Sequence, residues 1–208
     1  MGKSRIVPSI LEGDLTSCIQ EARDVLLSGG VVAFPTESFY GLAVNPVDEQ
    51  AVDRLFRTKK REPDQPILLL IPSVISLDVY AAEIPEIARS LIKRFWPGGL
   101  TILFKAAQCV SPRLTAGTGK IGLRLSSNAL ATALAGSVNS PITGTSANIS
   151  GYPACRTAVE VYDCFKEGVL ILDGGKTAGG TGSTIVDASV TPPRIVREGM
   201  ITSEELRL

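Results

Sequence analysis

The stretch Val169 to Glu198, VLILDGGKTAGGTGSTIVDASVTPPRIVRE, decides the fold class. Three short runs rich in β-branched residues, VLILD (169–173), STIVD (183–187) and RIVRE (194–198), are separated by Gly-, Ser- and Pro-rich segments that leave no room for a helix. Upstream, helices and strands alternate. Asp14 can cap a helix whose apolar positions Leu15, Cys18, Ile19, Ala22, Val25 and Leu26 keep helical spacing until Gly29-Gly30 stops it, and a buried strand, Val31 to Phe34, follows. Asp48 opens a second helix running to about Lys59, with Ala51, Val52, Leu55 and Phe56 on its apolar side. The run ILLLI (67–71) after Pro66 reads as a buried strand, Glu83 to Phe95 as a helix with Pro85 in its first turn, and Trp96-Pro97-Gly98-Gly99 as a turn into strand LTILF (100–104). Strand IGLRL (121–125), a helix from Asn128 to Ala135, strand PITG (141–144), a helix from Thr157 to Phe165 and a short C-terminal helix complete the pattern. Early alternation followed by consecutive strands favours an α/β fold with a mixed sheet flanked by helices over a purely parallel sheet.

No repeat, low-complexity tract or long polar linker divides the 208 residues, so a single domain over 1–208 is expected. The chain has 21 Lys and Arg, 21 Asp and Glu, and no histidine. That excludes a Ser-His-Asp triad, a His-ligated zinc site and any general base relying on imidazole. Zero net charge argues against a surface that is cationic throughout, but leaves room for a local basic patch. Cys18, Cys109, Cys155 and Cys164 show no C-x-x-C pair or metal-ligand spacing and read as reduced core or near-core thiols. MGKSRIVPSI lacks the apolar stretch of a signal peptide and no run approaches a membrane span, so a soluble cytoplasmic protein is expected.

Three segments could carry chemistry. Five cations and no acid fall in positions 54 to 61: Arg54, Arg57, Lys59, Lys60 and Arg61. A solvated helix end favoured by the macrodipole is one reading. The other rests on the K-x-R spacing: if the helix ends there and the chain extends, Lys59 and Arg61 point the same way and can grip one anion. PTESFYGL (35–42) follows a buried strand, where loops often hold binding groups, although P-T-E-S alone is an ordinary turn. TGTSANISG (143–151) places hydroxyls and an amide after another strand, suited to phosphate or carboxylate oxygens or to satisfying its own backbone. Two glycine-rich matches fail. Gly117-Thr118-Gly119-Lys120-Ile121-Gly122 runs into a strand where a dinucleotide site needs a helix, and the leading glycine of a Walker A loop ending Gly175-Lys176-Thr177 would fall at Leu170. The loop GGKTAGGTG (174–182) can still close over a ligand and present amide donors.

Taken in order, PTESFYGL, the K-x-R of KKREPDQP, FWPGGLT, IGLRL, SANISG, GSTIVD and the R-x-G of REGMI resemble the YrdC/YciO/Sua family over about residues 14 to 201. The resemblance implies a YrdC-like open, twisted mixed sheet flanked by helices with a concave nucleotide-binding face. It also implies threonylcarbamoyl-AMP synthase activity, in which L-threonine, bicarbonate and ATP yield threonylcarbamoyl-adenylate and pyrophosphate for the t6A modification of tRNA. By matching position, Lys59 and Arg61 are the catalytic and nucleotide-facing pair, Ser146, Asn148 and Arg197 contact ATP, and Thr36, Ser38, Arg124 and Ser183 contact L-threonine. Mg²⁺ is inferred from the ATP, with no protein metal site. TsaD-, TsaB- and TsaE-type proteins are implied as partners that complete the transfer to tRNA. A YciO-type paralogue, a module binding double-stranded RNA or tRNA, and adenylation of a different carbamate are the alternatives. The chain departs from the family pattern at Glu62, Gly99 and Glu198, where prolines are common, and at Ser126-Ser127-Asn128, where a proline and a histidine are frequent.

Overall fold

The computed structural model describes residues 2–8, 15–62 and 64–208. In chain order the elements are β1 (Arg5–Pro8), α1 (Leu15–Leu27), β2 (Val31–Pro35), β3 (Tyr40–Ala43), α2 (Glu49–Lys59), β4 (Leu69–Leu70), α3 (Leu77–Tyr80), α4 (Glu86–Phe95), β5 (Leu100–Lys105) and α5 (Pro112–Thr115). They continue with β6 (Lys120–Arg124), α6 (Ala129–Ser137), β7 (Ile142–Thr143), β8 (Thr145–Ser146), α7 (Ala158–Cys164), β9 (Val169–Asp173), β10 (Thr184–Asp187), β11 (Arg194–Arg197) and α8 (Ser203–Leu206).

The strands form two mixed sheets, ordered β1-β9-β2-β3-β8 and β11-β10-β5-β6-β4-β7. In the first, β1, β9 and β2 run parallel while β3 pairs antiparallel with β2 and β8. In the second, β10 is parallel to β5 and β4 to β6, and the other pairs are antiparallel. The expected mixed sheet with flanking helices is therefore present, divided in two. The decisive stretch straddles the division, since VLILD lies in the first sheet, STIVD and RIVRE lie in the second, and the loop at 174–182 joins them.

The chain crosses at two more places, from β3 to β4 through α2 and at Gly144, between β7 of the second sheet and β8 of the first. A Cβ there would lie 2.7 Å from Leu68 Cδ1 and 2.8 Å from Leu70 Cγ, so only glycine lets the backbone pass β4 this closely.

Burial explains why β2 reads as an unbroken apolar run: both faces of its sheet are covered. Val32 and Phe34 point into a core with Cys18, Ala22 and Leu26 of α1 and Leu130, Leu134 and Ala135 of α6, while Val31 and Ala33 point into a larger core with Leu55, Ile102 and Phe104. Burying one such leucine or phenylalanine contributes about 1.5–3 kcal/mol.

Asp48 caps α2 as its sequence suggests, accepting from the backbone N–H groups of Gln50 and Ala51, and Asn128 does the same for α6. Pro85 sits one residue before α4, extended at the cap position, because its fixed φ suits the entry and α4 starts at Glu86. Of ILLLI only Leu69–Leu70 enters a ladder. Asp14, expected to cap α1, lies outside the described residues. Cys18 and Cys155 are buried and Cys164 is half-buried, as expected of near-core thiols, whereas Cys109 is exposed after β5. Among the described residues no helix is long and apolar enough to cross a membrane.

Candidate functional site

The K-x-R pair sits where α2 ends. Lys60 closes the helix in the left-handed conformation, φ 49°, with its N–H on the carbonyls of Arg57 and Phe56. The chain therefore turns at Lys60 instead of extending, yet both neighbours still reach one segment. Lys59, 1% exposed, donates to the Asn148 carbonyl at 2.9 Å, to Asn148 Oδ1 at 3.2 Å and to the Ser146 carbonyl. Arg61 approaches Thr145 Oγ1 at 3.5 Å and donates to the Pro66 carbonyl at 2.8 Å, while its buried Nε has no partner among the described residues. Burial and the charge of Arg61 push the Lys59 ammonium down to about 8, and burial lowers Arg61 from its ordinary value. Ser146 and Asn148 are themselves linked, Ser146 Oγ donating to Asn148 Oδ1 at 2.6 Å, and the Asn148 amide donates to the carbonyls of Ile149 and Tyr152. The structure thus gathers Lys59, Arg61, Ser146 and Asn148 at the Gly144 crossing.

The second group gathers around the 174–182 crossing. Thr36 is buried in the β2–β3 turn, which it closes by donating to the Phe39 carbonyl at 2.7 Å and accepting from the Ser38 N–H at 3.3 Å. The Ser38 carbonyl takes the Gly179 N–H at 2.7 Å, which fastens the 174–182 loop to this turn. Tyr40 holds the start of the same loop, donating to the Gly175 carbonyl at 2.8 Å and accepting from the Gly174 N–H at 3.1 Å. Where the loop ends, Ser183 shares a hydrogen bond of 2.9 Å with Thr101, and its carbonyl accepts Arg197 Nε at 3.2 Å and Nη2 at 2.7 Å. Partial burial and the charge of Arg124 lower Arg197, so the two guanidinium groups feel one another.

Three residues outside the expected ligand contacts, Glu37, Ser126 and Arg156, complete this group. Glu37 Oε1 lies 2.6 Å from Arg124 Nη2, and Ser126 Oγ donates to Glu37 Oε2 at 2.7 Å. Arg156 donates to the Ala178 carbonyl at 2.9 Å and accepts the Thr177 N–H on its own carbonyl at 2.9 Å, clasping the loop from below. Glu37 was quoted within PTESFYGL, but no periodicity or spacing signals a partner as distant in sequence as Arg124.

Two surface hollows, about 230 Å³ between Pro46 and Leu114 and about 360 Å³ against α4, are lined by none of these residues. Chemistry, not hollow size, locates the site. No cluster of three or more Cys, Asp or Glu able to hold a metal occurs among the described residues, and the Glu37 carboxylate is committed to Arg124 and Ser126. This donor set, dominated by Lys and Arg, does not fit a protein-held divalent metal; it fits anions.

Comparison with known proteins agrees with that chemistry. The threonylcarbamoyl-AMP synthase of Pyrococcus abyssi is 40% identical over 189 residues, covering 90% of this chain and 56% of that protein, so the chain spans little more than half the length of this relative. The crystal structure of P. abyssi Sua5 complexed with L-threonine superposes with a TM-score of 0.93 at 37% identity over 98% of this chain and 60% of that one. E. coli YciO superposes with a TM-score of 0.86 at 26% identity over 99% of this chain and 100% of that one. The family profile described as Sua5/yciO/yrdC, telomere recombination, matches residues 24–199. With its two mixed sheets, its ordered motifs and that match, the chain belongs to the Sua5/YciO/YrdC family.

Proposed function

We propose that the chain is an L-threonylcarbamoyladenylate synthase acting in the cytoplasm, a nucleotidyltransferase that forms threonylcarbamoyl-AMP and pyrophosphate from L-threonine, bicarbonate and ATP for tRNA t6A modification. The observation that carries this reading is the separation of the cations into two groups, Lys59 and Arg61 beside the Gly144 crossing and Arg124 and Arg197 beside the 174–182 crossing; we read both groups as parts of one 1–208 domain. Two anions that repel each other, a triphosphate and an amino-acid carboxylate, need two such places. The 40% identity to the archaeal synthase and the likeness to the threonine-bound Sua5 structure support the choice of substrates.

In this reaction the threonine amine and carbon dioxide, supplied by bicarbonate, combine with loss of a proton to a carbamate. A carbamate oxygen then attacks the α-phosphorus of ATP and the bond to pyrophosphate breaks. No enzyme nucleophile is required, which suits a chain without histidine. Arg61, with its unpartnered Nε, binds phosphate oxygens. Lys59 adds charge while shaping the Ser146–Asn148 segment that meets the nucleotide, and Arg197 completes the ATP contacts. Arg124, Thr36, Ser38 and Ser183 receive the amino acid. ATP arrives as its magnesium complex, the metal belonging to the substrate's own phosphates. Transfer of the product to tRNA falls to TsaD-, TsaB- and TsaE-type partners.

Incubating the protein with ATP, Mg²⁺, bicarbonate and labelled threonine tests the reading. Labelled adenylate appearing with pyrophosphate is expected; pyrophosphate release indifferent to threonine overturns it. The full-length likeness to YciO favours a second reading, a YciO-type paralogue. Screening serine, other amino acids and carbamoyl phosphate in the same assay separates the two.

A further inference from the structure

Arg124 is held on two sides and open on a third. Its Nε donates to the Gly98 carbonyl at 3.1 Å, in the turn of Trp96-Pro97-Gly98-Gly99, and its Nη2 meets Glu37 Oε1 at 2.6 Å. Nη1 has no partner among the described residues. The pair is deeply placed, the Arg124 side chain 6% and the Glu37 side chain 12% exposed. Ser126 secures the far oxygen of the same carboxylate, and its own Oγ accepts the Asn128 N–H at 3.2 Å at the start of α6. Glu37 is thus braced from strand β6 and the cap of α6, and it in turn forms an ion pair with the Arg124 guanidinium.

Charge counting gives this arrangement chemical meaning. Arg124 and Arg197 bring two positive charges near one another, and Glu37 pairs with Arg124 alone, so the Arg124 edge keeps the balance for a single carboxylate while Arg197 stays charged toward the nucleotide. Around Lys59 and Arg61 no carboxylate stands within ion-pair distance among the described residues, Asp64 acting on Arg61 only through its charge at longer range, and that balance suits a polyphosphate.

We propose that Glu37 is a positioning and specificity residue: it presents the open edge of Arg124 to the carboxylate of the amino-acid substrate and, by cancelling one guanidinium charge, excludes phosphate groups from that place. The inference rests on the proposed synthase reading and deepens it.

The test is L-threonine binding by calorimetry, together with KM for threonine and for ATP, on wild type, Glu37→Gln, Arg124→Gln and the double variant. Glu37→Gln should weaken threonine binding by about tenfold or more, leave KM for ATP within about twofold, and add nothing in the Arg124→Gln background. It should also make inorganic pyrophosphate a competitor of threonine. Wild-type threonine affinity in Glu37→Gln, or the same loss in both backgrounds, overturns the proposal. Should Glu37→Gln fail to fold, Glu37→Asp keeps the charge but withdraws it from Arg124, and unchanged threonine binding there overturns the proposal as well. A wild-type protein that neither binds threonine nor makes the adenylate removes the synthase reading and this inference together, whereas an active wild type with an indifferent Glu37→Gln removes this inference alone.

Discussion

Asn148 accepts the Lys59 ammonium twice, on its main-chain carbonyl at 2.9 Å and on its side-chain carbonyl at 3.2 Å. With the Ser146 carbonyl as third acceptor, every hydrogen of that ammonium is directed at the segment that follows the Gly144 crossing. Lys59 is therefore the internal brace of its own half of the site. Lys59→Met should abolish adenylate formation, and Lys59→Arg should not restore it, because a planar guanidinium cannot point three hydrogens at three converging oxygens.

The same amine sets a pH limit. The fold lowers its pKa to about 8 from an ordinary 10.5, so between these values the unfolded chain binds the proton and the folded chain does not. Raising the pH through this window thus adds stability from this group while removing the charge that catalysis uses. Activity should fall as pH passes about 8, with no parallel fall in Tm; a pH–rate profile beside a melting series checks it.

Arg61→Ala removes a preorganised donor to the phosphates and should cost about 2–4 kcal/mol of transition-state stabilisation. Pyrophosphate release measured at saturating threonine reads this directly, and full release by the variant would remove Arg61 from the reaction.

Gly179 adopts φ +75°, and a Cβ on it would stand 2.5 Å from Arg156 Nε. Gly179→Ala should force the loop off both Arg156 and Ser38 and raise KM for threonine severalfold, with a stability loss of about 1–3 kcal/mol from backbone strain. Gly180→Ala has a similar backbone, φ +84°, but open space beside it. Comparing KM for the two variants separates collision from strain.

Glu37 leaves an acid signature. Burial alone would raise its carboxyl, but the charge and hydrogen bond of Arg124, with Ser126, outweigh burial and hold it below 4.5. Its contribution to stability is complete above 4.5 and disappears as pH falls through the lower folded value. Melting curves below pH 4.5 should show wild type losing stability more steeply than Glu37→Gln.

Much of this was legible in the sequence because it is local. Caps such as Asp48 and Asn128 act within three residues, and the unbroken apolar run of β2 reports burial on both faces. The consecutive strands after Val169 correctly spoke for mixed pairing. Their distribution between two sheets was not legible, because sheet membership depends on which distant strand each one pairs with, and a strand such as STIVD carries the same alternation in either. The site divides along the same line. Cations, hydroxyls and amides announce themselves by type, so Lys59, Arg61, Ser146 and Asn148 can be named as candidates from the sequence, and the structure brings them together. Glu37 and Arg156 act through partners far along the chain, Arg124 and the 177–179 backbone, and residue type alone gives no hint of that.

Of the three spans that tie one sheet to the other, the one between β3 and β4 carries Lys59 and Arg61, and those at Gly144 and 174–182 lead directly into Ser146 and Ser183. A ligand held at once by Ser38 of the first sheet's turn and by Ser183 at the start of β10 would be a rivet through a seam. Val31 and Ala33 already share a core with Ile102 and Phe104 of the other sheet, so such a ligand would reinforce a seam that apolar packing closes.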